Sequence, residues 1–505
     1  MKDGSRLEPK ERISLPFLVF LLIDFLLIMK TKKYNTDNFF DEYINKNNAS
    51  RKNFKDSFNF FKALSNNKKK LLSNIKDSII RSMGVTFRVY DNNRLIDREW
   101  PLDLVPRIII EKEWNEVKDG LIQRITAINL FIHDVYHKQE FLNQNPVLKS
   151  LILDSPNFLK ECKGVVPKNK IWANISGTDL IKDHRGNFYV LEDNLRVPSG
   201  VAYMLENRNV MKKVVTDLFN KYQVSPVDDY TSQLYKCLSD ASYSKDKLKN
   251  IVILSPGIFN SAYFEHAYLA QQMGIDLVES SDLILSKDNY VYIKTISGRK
   301  KVDVIYRRVN DDYLDPNVWV KDSTLGLPGI INSWKEKKVA IVNAPGSGVA
   351  DDKAVYAFVP KMIEFYLNEK PKLKQVKTYL CAFEKDMRYV LSNISKLVLK
   401  PVNESGGYGI LIGPKASKKE LDEYKAKIID NPRNFVAQPL IKLSTSPTMI
   451  NTSIEPRHID LRPFILSGNN IFVTNGGLTR VALTKGSTIV NSSQGGGSKD
   501  TWIIH

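Results

Sequence analysis

The sequence predicts a mixed α+β and α/β fold, and three stretches carry that expectation. Residues 251–254 (IVIL) form a short apolar run that ends in Pro256-Gly257 and is followed by a helical stretch, the pattern of a buried strand feeding a helix. Residues 175–199 (ISGTDLIKDHRGNFYVLEDNLRVPS) read as two short strands joined by a turn at Gly186. Residues 397–412 read as strand, glycine-rich loop and strand, the outline of a hairpin lid. A chain of 505 residues has room for two to four domains, and 43% hydrophobic with 26% charged residues is ordinary globular composition. The net charge of +18 suits nucleic acid, an acidic membrane surface or an anionic substrate. Lysine is scattered and no nucleic-acid-binding signature is present, so phosphate-rich small molecules account for the charge better.

Taken in order, residues 15–29 are apolar except for Asp24. The run is too short to span a bilayer comfortably and lacks a small-residue cleavage site, so initiation near Met29 is expected, with a signal anchor as the alternative. Residues 34–83 follow a polar helical pattern anchored by phenylalanines, and 85–90 is a strand. Pro101 and Pro106 bound an extended piece, and Trp114 opens a long amphipathic helix to about Phe141. His133 and His137 sit four apart on it, but no glutamate follows His133 as a metalloprotease motif needs, so a surface role is expected.

The 175–199 hairpin places Asp179 in or beside its first strand. Glu192 and Asn194, two apart at the end of the second, share a face. Two carboxylates and an amide oxygen make a hard-cation set suited to Mg²⁺ held against phosphate; the same residues also suit an ordinary Asx-rich turn. A helix over 207–222 and a linker over 239–249 follow, then strands at 251–254, 276–279, 291–295 and 302–306. A strand ending in a Pro-Gly loop before a helix is where α/β sheets bind ligands. Asn260, Ser261, Glu265, His266, Arg307 and Arg308 gather at such ends, with Arg307/Asp311 and Arg308/Asp312 as local ion pairs in the competing reading.

A helix over 351–366 carries Lys353. Lys400 ends the strand 397–400, and the loop after it holds Ser405, Gly406, Gly407 and Gly409. Such glycines let backbone N–H groups approach phosphate while Lys400 supplies charge. The loop is neither a Walker A nor a dinucleotide fingerprint. Residues 435–440 form a strand ending near Gln438 and Leu440, residues 459–466 alternate around Asp460 and Arg462, Arg480 sits in 476–483, and Asn491 opens a final Ser/Gly-rich stretch. Cys162, Cys237 and Cys381 are far apart, which argues against zinc or a disulfide framework and fits a reducing, cytoplasmic setting.

These pieces resemble an ATP-grasp ligase in the wrong order. Lys400 with the glycines matches the lid, Gln438 to Leu440 the adenine hinge, Asp460 and Arg462 the D-x-R strand, Arg480 the later arginine, and Asn491 with Gly495 and Gly496 the N…GG turn. The metal hairpin that should come last, Asp179…Glu192-x-Asn194, lies some two hundred residues earlier. From about Tyr34 the chain resembles the circularly permuted ATP-grasp type 2 family, through segments such as LEDNLRVPSGVAYMLENR, SPGIFNSAYFEHAYLA, SGVADDKAVY, KPVNESGGYGILIGP and VNSSQGGGSKDTW; glutathionylspermidine synthase is more distant.

The resemblance implies a circularly permuted ATP-grasp fold with an inserted α/β domain and a helical N-terminal region. The expected divisions are an extension (1–33), a mostly helical region (34–150), the metal-binding half (151–240), an α/β substrate domain (246–345), and the lid, hinge and arginine strands (346–505). It implies ATP and Mg²⁺, with carboxylate–amine ligation through an acyl phosphate. Lys400 and Lys353 would hold phosphates, and Arg462 and Arg480 would stabilise the acyl phosphate. Arg196 and Ser199 would take the acceptor carboxylate. A phosphotransferase or adenylyltransferase, or a non-catalytic ATP-binding partner, are the alternatives; retention of the whole Asp/Glu/Asn set argues against decay. Small-molecule or peptide carboxylates and amines are the expected substrates, and relatives accompany alpha-E and transglutaminase-like proteins. Neither nucleic acid nor membrane is an expected partner.

Overall fold

The computed structural model describes residues 34–47, 49–91, 94–402, 409–488, 490–491 and 495–505. The expectations for residues 1–33, and for Ser405, Gly406 and Gly407, lie outside them. No described helix is long and apolar enough to cross a membrane.

A ten-stranded sheet carries the architecture. Its main path uses β1 (Leu102–Ile110), β2 (Ile175–Lys182), β3 (Phe188–Asn194), β4 (Lys374–Gln375), β5 (Ser453–Arg462), β6 (Leu478–Val481) and β7 (Gly497–Ile504). The spatial order is β4-β3-β2-β5-β6-β7-β1. β7 lies parallel to β1 and antiparallel to β6. The β1/β7 register slips between Lys499 and Thr501, opposite the segment that holds Pro106. A proline has no N–H to give the ladder, so an irregularity belongs there.

The helix Glu111–Val135 packs on this sheet. It begins three residues before Trp114 and stops short of Phe141, where Gln139 turns left-handed (φ 58°) and starts the separate helix Glu140–Asn143. The polar helical pattern of 34–83 yields Lys55–Ala63 and Asn66–Ser82, while 34–47 and 49–50 form turns and bridges. The helix expected over 207–222 begins at Val201, after Gly200 (φ 118°), and breaks at Val215 before Thr216–Lys221.

Two further sheets flank the first. Ala340–Val342, Val304–Arg307, Ile251–Leu254 and Asp276–Val278 form an all-parallel sheet in that order. Its first three strands are buried throughout, which is why they read as apolar runs rather than alternating ones. Tyr379–Leu380, Phe435–Pro439, Leu397–Pro401 and Leu411–Ile412 form an antiparallel sheet packed under Glu384–Asn393 and Lys418–Asp430.

β7 is the element the sequence hid, because its buried run opens with the polar residues 498–501 and turns apolar only from Trp502. Lys499 pairs with Asp103 of β1, and Asp500 receives Arg208 (Nε–Oδ2 2.9 Å) from Val201–Val214. Arg208 also donates to the Ser225 and Thr501 carbonyls, at 2.9 and 2.6 Å, and is fully buried. Asp500→Ala leaves this guanidinium in the core without its counter-charge. Stability should fall by about 3–5 kcal/mol, and Arg208→Met/Asp500→Leu should recover much of it. Calorimetric melting temperatures check this; an unchanged temperature for Asp500→Ala would show that the pair does not anchor β7.

Candidate active site

The site grows from the register of one hairpin. Asp179 on β2 stands directly opposite Glu192 on β3, and Gly177 opposite Asn194. Between Glu192 and Asn194, alternation sends Asp193 to the other face, where Arg124 grips it (Nε to both Oδ atoms, 2.9 Å). Glu192 and Asn194 are left on the face that meets a cavity of about 600 Å³. Asn194 spends its Nδ2 on the Gly177 carbonyl (3.2 Å), leaving Oδ1 as its acceptor.

β5 and β6 bring the arginines. Arg462 donates to Asp179 through Nε (2.5 Å) and Nη2 (2.8 Å), and Arg480 adds Nη2 at 2.7 Å. Arg480 turns its Nε to Asp460 (2.9 Å). Burial pushes the Asp179 carboxyl up, but the two guanidinium groups outweigh it and hold it down at about 2. Asp460, with burial dominant, is raised. The result is an alternating row Arg462–Asp179–Arg480–Asp460 along the cavity wall.

The opposite wall comes from the antiparallel sheet and the helix Lys353–Leu367. Lys400, partly buried and cross-strand to Val436, lines the cavity, as do Gln438 and Leu440. Gln438 is fixed by Thr378 (Nε2–Oγ1 2.9 Å). Lys353 opens its helix, whose N-cap Asp352 accepts from the Ala354 amide (2.8 Å). Its Nζ lies 3.8 Å from Glu192 and 3.4 Å from the Val402 carbonyl. Gly409, left-handed at φ 67°, stands where a Cβ would come within 2.9 Å of Pro401. Asn491 lines the cavity and its carbonyl accepts from Gly496 (3.0 Å).

The remaining expected residues divide. Ser199 and Ser261 line the cavity; Arg196, Asn260, Glu265, His266, Arg307 and Arg308 do not. Arg196 faces Asp351 (3.3 Å), whose carboxyl burial raises to about 6. Asn260 accepts from the Ala262 amide (2.9 Å) ahead of the helix Tyr263–Met273. Arg307 pairs with Asp311 (3.0 Å), as the competing reading expected. Arg308 does not pair with Asp312: it donates to Glu265 (3.1 Å), the Pro198 carbonyl (2.8 Å) and Ser199 Oγ (2.5 Å). Glu265 in turn accepts from the amides of Gly200 (2.7 Å) and Ala202 (3.1 Å), satisfying the open start of the helix Val201–Val214. These two residues pin the Pro198–Gly200 edge of the cavity. His266 is buried against Ser255 (2.9 Å), and burial followed by Arg308 pushes its imidazole well down.

Of the three oxygen donors expected for a divalent cation, Glu192 and Asn194 face the cavity with no arginine partner among the described residues, and the Asp179 oxygens are engaged by arginine. One carboxylate and an amide oxygen, completed by water and substrate phosphate, is an ordinary Mg²⁺ environment. Among the described residues no group of three His, Cys, Asp or Glu could hold a metal. All three cysteines are buried, and burial raises their thiols, Cys237 and Cys381 to about 12, so none is poised as a thiolate.

The profile of the circularly permuted ATP-grasp type 2 family matches residues 106–482. The chain belongs to that family. An uncharacterized protein of Synechocystis sp. is 50% identical over 84% of this chain and 88% of its own length. One of Mycobacterium tuberculosis is 48% identical over 83% and 76%. A Frankia casuarinae protein, provisionally named a glutamate–cysteine ligase, is 40% identical over 83% of this chain but only 48% of its own length. A glutathione synthetase-like effector from Globodera pallida shares the fold, with a TM-score of 0.56 at 13% identity over 86% of this chain and 96% of its own.

What the sequence missed at this cavity is the engagement of Asp179 by both arginines, and the rings of Phe87, Trp100 and Tyr203. Tyr203 sits inside a motif already singled out; Trp100 carries no local signal beyond being aromatic next to Pro101.

Two outcomes follow. Glu265→Ala should lower the melting temperature, since it strips a helix start and strands Arg308, at a cost of about 3–5 kcal/mol; a loss of ligand affinity at unchanged stability would instead make Glu265 a ligand contact. Lys400 is pushed down to about 8, chiefly by burial, with the Glu192 charge opposing. The charged form dominates below that pH, and a polyanion favours it. Tripolyphosphate should therefore bind more weakly as pH rises through 8 and take up a proton near pH 8, and Lys400→Arg should flatten the dependence. Calorimetry in buffers of different ionisation enthalpy reads both; a flat wild-type profile would place Lys400 away from the anion.

Proposed function

We propose that this protein is an ATP- and Mg²⁺-dependent ligase that joins a carboxylate to an amine through an acyl phosphate. The observation that carries the proposal is one cavity in which Lys353, Lys400, Glu192, Asn194, Arg462 and Arg480 meet from segments nearly three hundred residues apart. Lysines on one wall suit phosphates, the oxygen donors of the hairpin suit the cation, and the arginines suit an anionic acyl group. The name of the Frankia relative, a ligase of two amino acids, supports the same reaction class.

In this reading Lys400 and Lys353 bind the β- and γ-phosphates, while Gln438 and Leu440 edge the adenine. Glu192 and Asn194 hold Mg²⁺, which when bound neutralises charge at the transferred phosphoryl group. Arg462 and Arg480 orient the substrate carboxylate for phosphorylation and stabilise the charge that develops when the amine attacks. Asp179, in place of a direct metal contact, fixes the two guanidinium groups at the spacing this requires.

The test is product analysis with ATP, Mg²⁺ and panels of amino acids, short peptides and polyamines. ADP and phosphate in step with a new amide support the proposal; AMP, or a phosphorylated product without a C–N bond, would overturn it. Lys400→Ala should weaken ATP binding by about 1.5–3 kcal/mol, roughly ten- to a hundred-fold. Glu192→Gln should raise the Mg²⁺ needed for turnover and depress turnover more than nucleotide binding. Unchanged ATP affinity in the lysine variant, by calorimetry, would remove Lys400 from the site.

A further inference from the structure

Beyond Ser199 the cavity ends on rings. Trp100 stacks on Tyr203 (centroids 3.9 Å, 24°), and Phe87 stands edge-on 6.0 Å from each. All three line the cavity. Their polar tips are used elsewhere: Trp100 Nε1 donates to Asn207 Oδ1 (2.9 Å) and the Tyr203 hydroxyl to the Thr86 carbonyl (3.0 Å). Ring carbon is what they leave for a ligand. Tyr203 lies in the first turn of the helix Val201–Val214, so this wall adjoins Ser199, whose carbonyl is 3.4 Å from Arg462 Nη1. Phe87 and Trp100 precede residue 106, where the family match begins.

We infer that the ligase's substrate-side pocket takes an amino acid or peptide end with an aromatic or bulky aliphatic side chain, seated on Phe87, Trp100 and Tyr203 with its charged end toward Arg462. The inference deepens the ligase reading and rests on it for the word substrate. The charge balance decides against a cationic ligand. Among the described lining residues four cations face three carboxylates. Asp179 and Asp460 are paired with arginine, and Glu192 faces Lys353. Glu265, near this wall, is committed to Arg308 and two amides. Among the described residues a polyamine therefore finds no uncommitted counter-charge there, although an indole face alone would accept one. Among the described residues Phe87, Trp100, Ser199, Gly200 and Tyr203 of this wall none is cationic, so an acidic side chain would meet the rings without a counter-charge.

Calorimetry with L-phenylalanine, L-glutamate and spermidine as probes, each with and without a non-hydrolysable ATP analogue and Mg²⁺, tests this. L-phenylalanine should bind about tenfold or more tighter than the other two. Phe87→Ala should weaken it about tenfold with the affinity for the analogue unchanged, which shows that the fold is intact. Phe87→Glu should turn the preference toward spermidine. Preference of the wild type for spermidine or L-glutamate, no binding of L-phenylalanine, or indifference to both Phe87 variants would overturn the inference. The ligase reading fails separately: binding of L-phenylalanine by a protein that ignores the ATP analogue supports the pocket and removes the ligase, whereas amide formation on a polyamine does the reverse.

Discussion

Asp179 is one carboxylate serving two guanidinium groups, and most of the site depends on that sharing. Arg462 and Arg480 come from β5 and β6, and the hairpin from a part of the chain some three hundred residues earlier. Two like charges can be held this close only with an anion between them, and the depressed Asp179 carboxyl supplies one at any physiological pH. The row continues inward. Asp460 receives Arg480 through its side chain and Arg107 through its carbonyl (3.1 Å), and Arg107 pairs with Glu42 (2.6 Å). The cavity wall is therefore tied to the first described turns by buried ion pairs whose geometry leaves little room to shift.

The two faces of the Glu192-Asp193-Asn194 strand show how such a wall is kept in place. Asp193 and Arg124 form a fixed back face, so the residues on either side are aimed at the cavity by the pleat itself. The Pro198–Gly200 edge is fixed in a different way, by Arg308 and Glu265 from the parallel sheet and the helix Tyr263–Met273. The turn before that helix contributes Ser261 and Ala262 to the cavity, while the parallel sheet acts mainly by bracing what the first sheet presents.

Much of this was legible in the residues, and the failures have physical causes. Period-two spacing placed Glu192 and Asn194 on one face, and Lys400 fell at the end of a readable strand. Glu265, His266, Arg307 and Arg308 looked like ligand groups because charged residues at such ends generally face solvent; here all four are buried, and while Arg307 pairs locally with Asp311, Glu265 and Arg308 find partners in distant segments that no local pattern displays. β7 was missed for a related reason. Hydrophobic periodicity detects a core strand only when its buried positions are apolar, and SKDTW satisfies its burial with Asp103 and Arg208 instead. Of the three rings, Phe87 lies on the strand Thr86–Asp91, which pairs with Arg94–Glu99 just before Trp100, and Tyr203 lies on the helix Val201–Val214 about a hundred residues on, so only the fold brings them together.

β1 and β7 lie side by side although nearly four hundred residues separate them. Contacts of that separation come late in folding, because the chain between them must first be ordered or constrained. Until β7 inserts, β1 and β6 each present an open, largely apolar strand edge, which is a template for pairing with another molecule. Insertion of β7 therefore competes with self-association for those edges. Low temperature, dilution or a chaperone that shields strand edges should shift the outcome without altering a single contact of the finished structure.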